Sequence, residues 1–201
     1  MNISLKHWRK VIKPIVFVIA LIPVIWWADA WRHAFAGLPN GLGFNPNEAS
    51  NQFTGDWAIR FLLITLMITP LTKVLKSNKP MLFRRMFGLF TSFYVAVHIT
   101  SYLWLDIELN LSALWQDILK RNYITVGMIA LVLLLPLTLT SFNRAVKYLG
   151  AKRWQRLHAS IYLIGALAIF HFVMMRKGFQ LEPLVYGVIY LSLMVFRLKT
   201  R

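Results

Sequence analysis

The chain has 201 residues, 58% of them hydrophobic, with 23 Lys and Arg against 7 Asp and Glu and a formal net charge of +16. A soluble domain of this length has no use for so much apolar side chain, and the excess falls in blocks of about 16 to 20 residues, enough to span a hydrocarbon core of roughly 30 Å. Cysteine is absent, which excludes disulfides, thiolate metal ligation and iron–sulfur clusters; the basic residues sit in short loops between apolar runs, which argues against nucleic acid and for membrane lipid as a partner.

The first apolar run covers residues 11–28, behind a basic start of Lys6, Arg9, Lys10 and Lys13. A secretory signal would begin the same way. However, no A-x-A-like site follows, and the run ends in Trp26 and Trp27, a pair suited to a membrane interface. It reads as a first transmembrane helix, with Pro14 and Pro23 as kink candidates. Residues 29–54 are polar and turn-rich and are expected to form a loop outside the membrane. The second span is expected at 55–72, with Arg60 about one turn inside. A short basic loop leads to the third span, 84–105, which carries His98. The stretch D-I-E-L-N-L-S-A-L-W-Q-D (106–117) is the most acidic of the chain. The fourth span is expected at 122–142 around Pro136, the fifth at 154–175 with His158 and His171, and the sixth at 182–197 before a short basic tail. The expected fold is an all-α integral membrane protein, one six-transmembrane-helix bundle over residues 1–201.

Counting Lys and Arg orients it. The amino terminus, the 72–85 loop, the 143–156 loop and the carboxyl terminus share one side and hold seventeen basic residues. The other side holds five: Arg32, Lys120, Arg121, Arg176 and Lys177. A bias of this size over short loops puts both termini in the cytoplasm. No internal repeat is visible.

An ionisable side chain at bilayer depth marks a functional site by default, and imidazole is a good ligand for iron. His98 lies 13 residues past Arg85 on an outward-running helix, about 20 Å from the inner surface. His171 lies 15 residues past Arg156 on a second one, about 22 Å deep. Two imidazoles facing each other at one level are the geometry of six-coordinate haem iron, with His98 and His171 as axial ligands. Such ligation leaves iron no open position and suits electron transfer better than oxygen chemistry. There is no C-x-x-C-H, so a haem here would be held non-covalently. The alternative for membrane histidines is a hydrogen-bonded core residue or a proton relay.

His158 sits two residues past Arg156, near the inner surface. A second histidine-ligated haem would want a partner near position 84 or 85, and those are Arg84 and Arg85. On an ideal helix His158 and His171 are about 140° apart, so they line one wall only if the helix is distorted. An interfacial histidine is the plain alternative. Arg60 either snorkels to the interface or pairs with a buried anion such as a haem propionate. Phe83, Phe87, Phe90, Phe93, Tyr94, Tyr102 and Trp104, like Met174 and Met175, fit helix packing better than a cofactor wall. His7 and His33 lie outside the spans.

No phosphate loop, H-E-x-x-H, G-x-S-x-G or G-x-G-x-x-G is present. With few residues after the sixth span, no fused flavin or nicotinamide domain is expected, and electrons would come from a separate protein or a quinol.

Three runs carry a resemblance: Q-F-T-G-D-W-A-I-R-F-L-L-I-T-L-M-I-T-P-L (52–71), R-R-M-F-G-L-F-T-S-F-Y-V-A-V-H-I-T-S-Y (84–102) and K-R-W-Q-R-L-H-A-S-I-Y-L-I-G-A-L-A-I-F-H (152–171). They resemble the ferric-reductase-like transmembrane family, within it the haem-binding membrane subunits of bacterial methionine sulfoxide reductase systems. The resemblance implies a bacterial inner-membrane protein carrying haem b, with FMN as a further cofactor. It implies electron flow from a cytosolic flavin reductase or the quinone pool to a periplasmic, MsrP-like molybdopterin reductase that repairs oxidised envelope proteins. The family's haem histidines fall on His98, His171 and His158. The wider family often carries two histidines on each of two helices; this chain lacks one of the four, so one haem or two stays open. An FMN at the inner face could take the place of the missing haem beside His158, with Arg85 as a contact. Where the family has R-P-Y before the fourth span, this chain has R-N-Y (121–123). The rival functions are a proton-coupled transporter or channel using the histidines as a relay, and an anchoring subunit without a cofactor.

Overall fold

An unpaired backbone group costs several kcal/mol in hydrocarbon, so an apolar run of membrane length becomes a helix that pairs its own backbone. The computed structural model describes residues 4–176 and 180–199. Lys177 and Arg201, two of the counted loop charges, lie outside them. Six helices are long and apolar enough to cross a membrane. In chain order the helices are α1 (Leu5–Phe35), α2 (Pro46–Val74), α3 (Met81–Asp106), the short α4 (Leu111–Lys120), α5 (Asn122–Leu139), the short α6 (Asn143–Leu149), α7 (Ala151–Met175) and α8 (Leu181–Lys199). The seven Asp and Glu all lie toward the end of the bundle where α1 finishes and α2 begins, here the acidic end.

The polar stretch expected as a loop over 29–54 is helical on both sides: α1 runs on to Phe35 and α2 begins at Pro46. Asn45 caps α2. Its side chain accepts from the Glu48 N–H at 3.3 Å and donates to Glu48 Oε2 at 3.1 Å, with Pro46 in the first turn. N-P-N-E is a helix start, and the polarity of the residues behind it hid that signal. The acidic stretch after α3 also folds: Asn110 caps α4 by accepting from the Ser112 and Ala113 N–H groups. Leu111, Trp115 and Leu119, one turn apart, form an exposed apolar stripe on α4.

The bundle is two helix pairs with flanking helices. α2 with α3 and α5 with α7 are the most extensive pairings; α1 leans on the first pair, and α8 packs on both α2 and α7. Lipid is as apolar as leucine, so these pairings rest on dispersion and on hydrogen bonds between helices. The aromatics on α3 serve the first purpose. Phe83, Phe90 and Tyr94 pack with Phe61, Met86 and Ala58 into the main buried cluster. Tyr94 serves both: its hydroxyl donates to the Ala20 carbonyl at 2.8 Å and accepts the Val24 N–H at 3.2 Å. An ordinary helix would join those two groups to each other; next to Pro23 a side chain takes them up instead. Elsewhere α1, α5 and α8 turn Val18, Ile22, Ile25, Val132, Val188 and Leu191 outward, as lipid-facing surfaces do.

Candidate metal centre

α3 carries His98 and α7 carries His171 to the same level, ring centroids 6.5 Å apart and planes at 78°. Both line a cavity of about 580 Å³ between the two helix pairs. Its walls are apolar, with Ile59, Leu62, Val95, Leu131 and Leu134 among them. Toward the acidic end the lining turns polar, with Glu48, Asp106, Asp117 and Arg121. There Tyr102 donates to Asp117 at 2.6 Å, and Arg121 pairs with Asp117 at 3.2 Å.

The hydrogen bonds orient both rings. His98 Nδ1 donates to the Asn51 carbonyl at 3.0 Å, with Thr54 Oγ1 at 3.3 Å, and His171 Nδ1 donates to the Tyr123 carbonyl at 2.6 Å. A carbonyl only accepts, so the proton sits on Nδ1 and the free lone pair on Nε2. No hydrogen bond from a described residue reaches either Nε2.

This donor set fits a haem iron. Two imidazoles sharing one metal, with bonds of about 2.0–2.1 Å to each Nε2, put their centroids about 6.4 Å apart. The observed separation matches that. A bare ion asks the protein for about four ligands, yet no group of three or more His, Cys, Asp or Glu able to hold one occurs among the described residues. A porphyrin supplies four nitrogens itself and asks the protein for at most two more ligands, which two histidines would provide. The cavity size lies within the roughly 300–1,000 Å³ usual for cofactor pockets.

His158 stands apart. It does not line the cavity; its Nε2 faces Thr140 Oγ1 at 3.0 Å, and its ring stacks on Trp154 at 3.9 Å. Trp154 in turn donates to the Thr140 carbonyl at 2.9 Å. The expected charged neighbours, Arg84 and Arg85, are there, but Arg85 is exposed and donates to Asn143 at 2.8 Å. The fifth span does break, at Ala159–Ser160, but His158 does not line the cavity that His171 lines. No hydrogen bond among the described residues joins His158 to the His98/His171 pair.

Arg60 neither snorkels free nor waits for a propionate. It pairs with Glu182 on α8 at 3.0 Å and donates to the Tyr186 hydroxyl at 2.7 Å. Arg176 extends the network to Gln52 at 3.0 Å, Asp56 at 3.4 Å and Glu182 at 3.6 Å. Sequence reasoning missed this network, although Asp56 and Arg60 stand one turn apart on α2. It also missed Asn51 and Tyr123, because their backbones rather than their side chains do the work. Met175 lines the cavity, whereas Met174 is exposed.

A pair of histidines facing across the core of a membrane-length bundle, lone pairs turned into an apolar cavity, defines a class: multi-pass membrane proteins with a buried paired-histidine centre. The chain belongs to one family within it, the ferric reductase like transmembrane component, whose model matches residues 54–176, the stretch that holds all three span histidines. It is 44% identical over 189 residues to the protein-methionine-sulfoxide reductase heme-binding subunit MsrQ of Polaromonas naphthalenivorans, covering 92% of this chain and 83% of that one. The MsrQ of Caulobacter vibrioides is 38% identical over 183 residues, 91% of this chain and 84% of that one. The magnetosome protein MamZ of Magnetospirillum gryphiswaldense is 39% identical over 196 residues, 96% of this chain but 30% of that protein. No solved structure matches.

Proposed function

We propose that this protein is the haem-binding membrane subunit of a methionine sulfoxide reductase system, an electron conduit with substrate reduction on a partner. The observation that carries the reading is the 6.5 Å separation of the His98 and His171 rings, each fixed with Nε2 free. His98 and His171 would hold haem b through these atoms, and the group would supply one-electron redox chemistry. The chain's own residues do the rest. The two carbonyls fix the tautomer and raise the basicity of the ligands. Two imidazole ligands would suit electron transfer better than oxygen chemistry.

The loop charges orient the protein in a bacterial inner membrane with both termini cytoplasmic. In that orientation the histidine pair lies toward the periplasm, nearer an acceptor than a donor. The acceptor is a periplasmic, MsrP-like molybdopterin reductase; the donor is a cytosolic flavin reductase or a quinol. One haem is the count these residues support, because Thr140 takes the Nε2 of His158. FMN comes from the resemblance alone, since Arg85 and His158 are already engaged by Asn143, Thr140 and Trp154. Among the described residues no hydrogen bond connects His158 to the His98/His171 pair, which counts against a relay through three histidines.

The test is a dithionite-reduced minus oxidised absorption spectrum of the purified protein. The expected result is a b-type Soret shift that survives His33→Ala and disappears in His98→Ala and in His171→Ala. A featureless wild-type spectrum overturns the proposal.

A further inference from the structure

The two histidines are seated by one arrangement used twice. The carbonyl that holds His98 belongs to Asn51, and the residue four positions on is Gly55; the carbonyl that holds His171 belongs to Tyr123, and four positions on is Gly127. Each glycine is on the first helix of a pair, α2 or α5, and each histidine is on the second, α3 or α7. In a helix the Cα–Cβ bond leans toward the N-terminus, so a side chain covers the backbone one turn before it. A residue four positions after a carbonyl therefore shields that carbonyl, unless it has no side chain.

The space around both glycines bears this out. A Cβ on Gly127 would stand 2.9 Å from His171 Nδ1 and 3.0 Å from its Cε1. A Cβ on Gly55 would stand 3.2 Å from His98 Cε1 and 3.3 Å from its Nδ1. Gly88 and Gly187 differ: a Cβ there meets only a methyl at 3.7 Å, an ordinary contact. We infer that Gly55 and Gly127 are positioning residues for the metal ligands, baring the two helix carbonyls that hold the imidazoles by Nδ1 and aim Nε2 into the cavity. They touch no cofactor themselves. This inference rests on the proposed haem ligation.

The test compares Gly127→Ala and Gly55→Ala with Gly88→Ala and Gly187→Ala in the full-length purified protein, reading haem affinity, the ferric electron paramagnetic resonance spectrum and helix content. Gly127→Ala should lower haem affinity roughly 10- to 100-fold and shift the low-spin g values or convert part of the signal to high spin. Gly55→Ala, with the looser contact, should shift the same signals less. The two controls should match wild type, and helix content should hold throughout. Wild-type g values and affinity in Gly127→Ala overturn the inference. So does a fall in helix content that parallels the haem loss in both variants, because the glycines would then serve packing alone. A wild type with no low-spin haem signal would instead sink the proposed function.

Discussion

The His171 Nδ1 stands 2.6 Å from the carbonyl oxygen of Tyr123, on the neighbouring helix of its pair. That bond decides which nitrogen is left for the cavity. It also ties the ligand to backbone, which no side-chain substitution at position 123 removes. Tyr123→Phe should accordingly keep the low-spin haem spectrum, and its loss in that variant would show that the phenol, not the carbonyl, holds the ring.

His158 should be dispensable for the centre. Its Nε2 is engaged by Thr140 and its ring by Trp154. His158→Gln should leave the Soret band in place and cost about 1 kcal/mol of stability through the altered bond. Loss of haem absorbance in that variant would mean a second cofactor at the inner rim.

The ion network beside the cavity should behave as one unit. Arg176 and Asp56 are only 12% and 14% exposed, so removing one leaves the other charge poorly solvated. Asp56→Ala should destabilise by about 3 kcal/mol. Asp56→Ala with Arg176→Met should cost less than the sum of the single changes. Thermal unfolding in detergent measures both, and strict additivity would count against the coupling.

Tyr94→Phe should lower the unfolding midpoint without touching the haem spectrum. The change strands the Ala20 carbonyl and the Val24 N–H that the hydroxyl now satisfies, at a cost of about 1–3 kcal/mol. An unchanged midpoint would show that α1 closes its own ladder across Pro23.

Orientation can be read directly because the chain has no cysteine. Phe44, in the loop between α1 and α2, and Tyr148, on the short α6, are exposed at opposite ends of the bundle. In intact spheroplasts an impermeant maleimide should label Phe44→Cys, and Tyr148→Cys only after permeabilisation. The reverse pattern would invert the donor and acceptor sides.

How much of this was legible in the sequence depends on which atoms carry the contact. Apolar length gave the six helices, and the 1.5 Å rise per residue was enough to level His98 with His171. The phase argument held that His158 and His171 line one wall only if the helix is distorted; the helix breaks between them, and His158 lies outside the cavity. What stayed hidden works through the backbone. Asn51 and Tyr123 act by their carbonyls, and Gly55 and Gly127 by a missing Cβ; neither role has a residue-type signature. The polar start of α2 read as loop because hydropathy outweighed its Asn45–Glu48 cap. The partner of Arg60 stayed hidden because its anion sits 122 residues on, at Glu182.

Because each histidine is anchored within its own helix pair, and contacts between the pairs are comparatively sparse, a haem iron held as proposed would do more than carry charge. Held by His98 of one pair and His171 of the other, it would be a clasp between two halves. A ligand that binds only the closed form stabilises it by mass action, so the membrane protein's assembly would answer to cofactor supply. A cell short of haem would hold two hairpins loosely side by side, open to proteolysis along the seam.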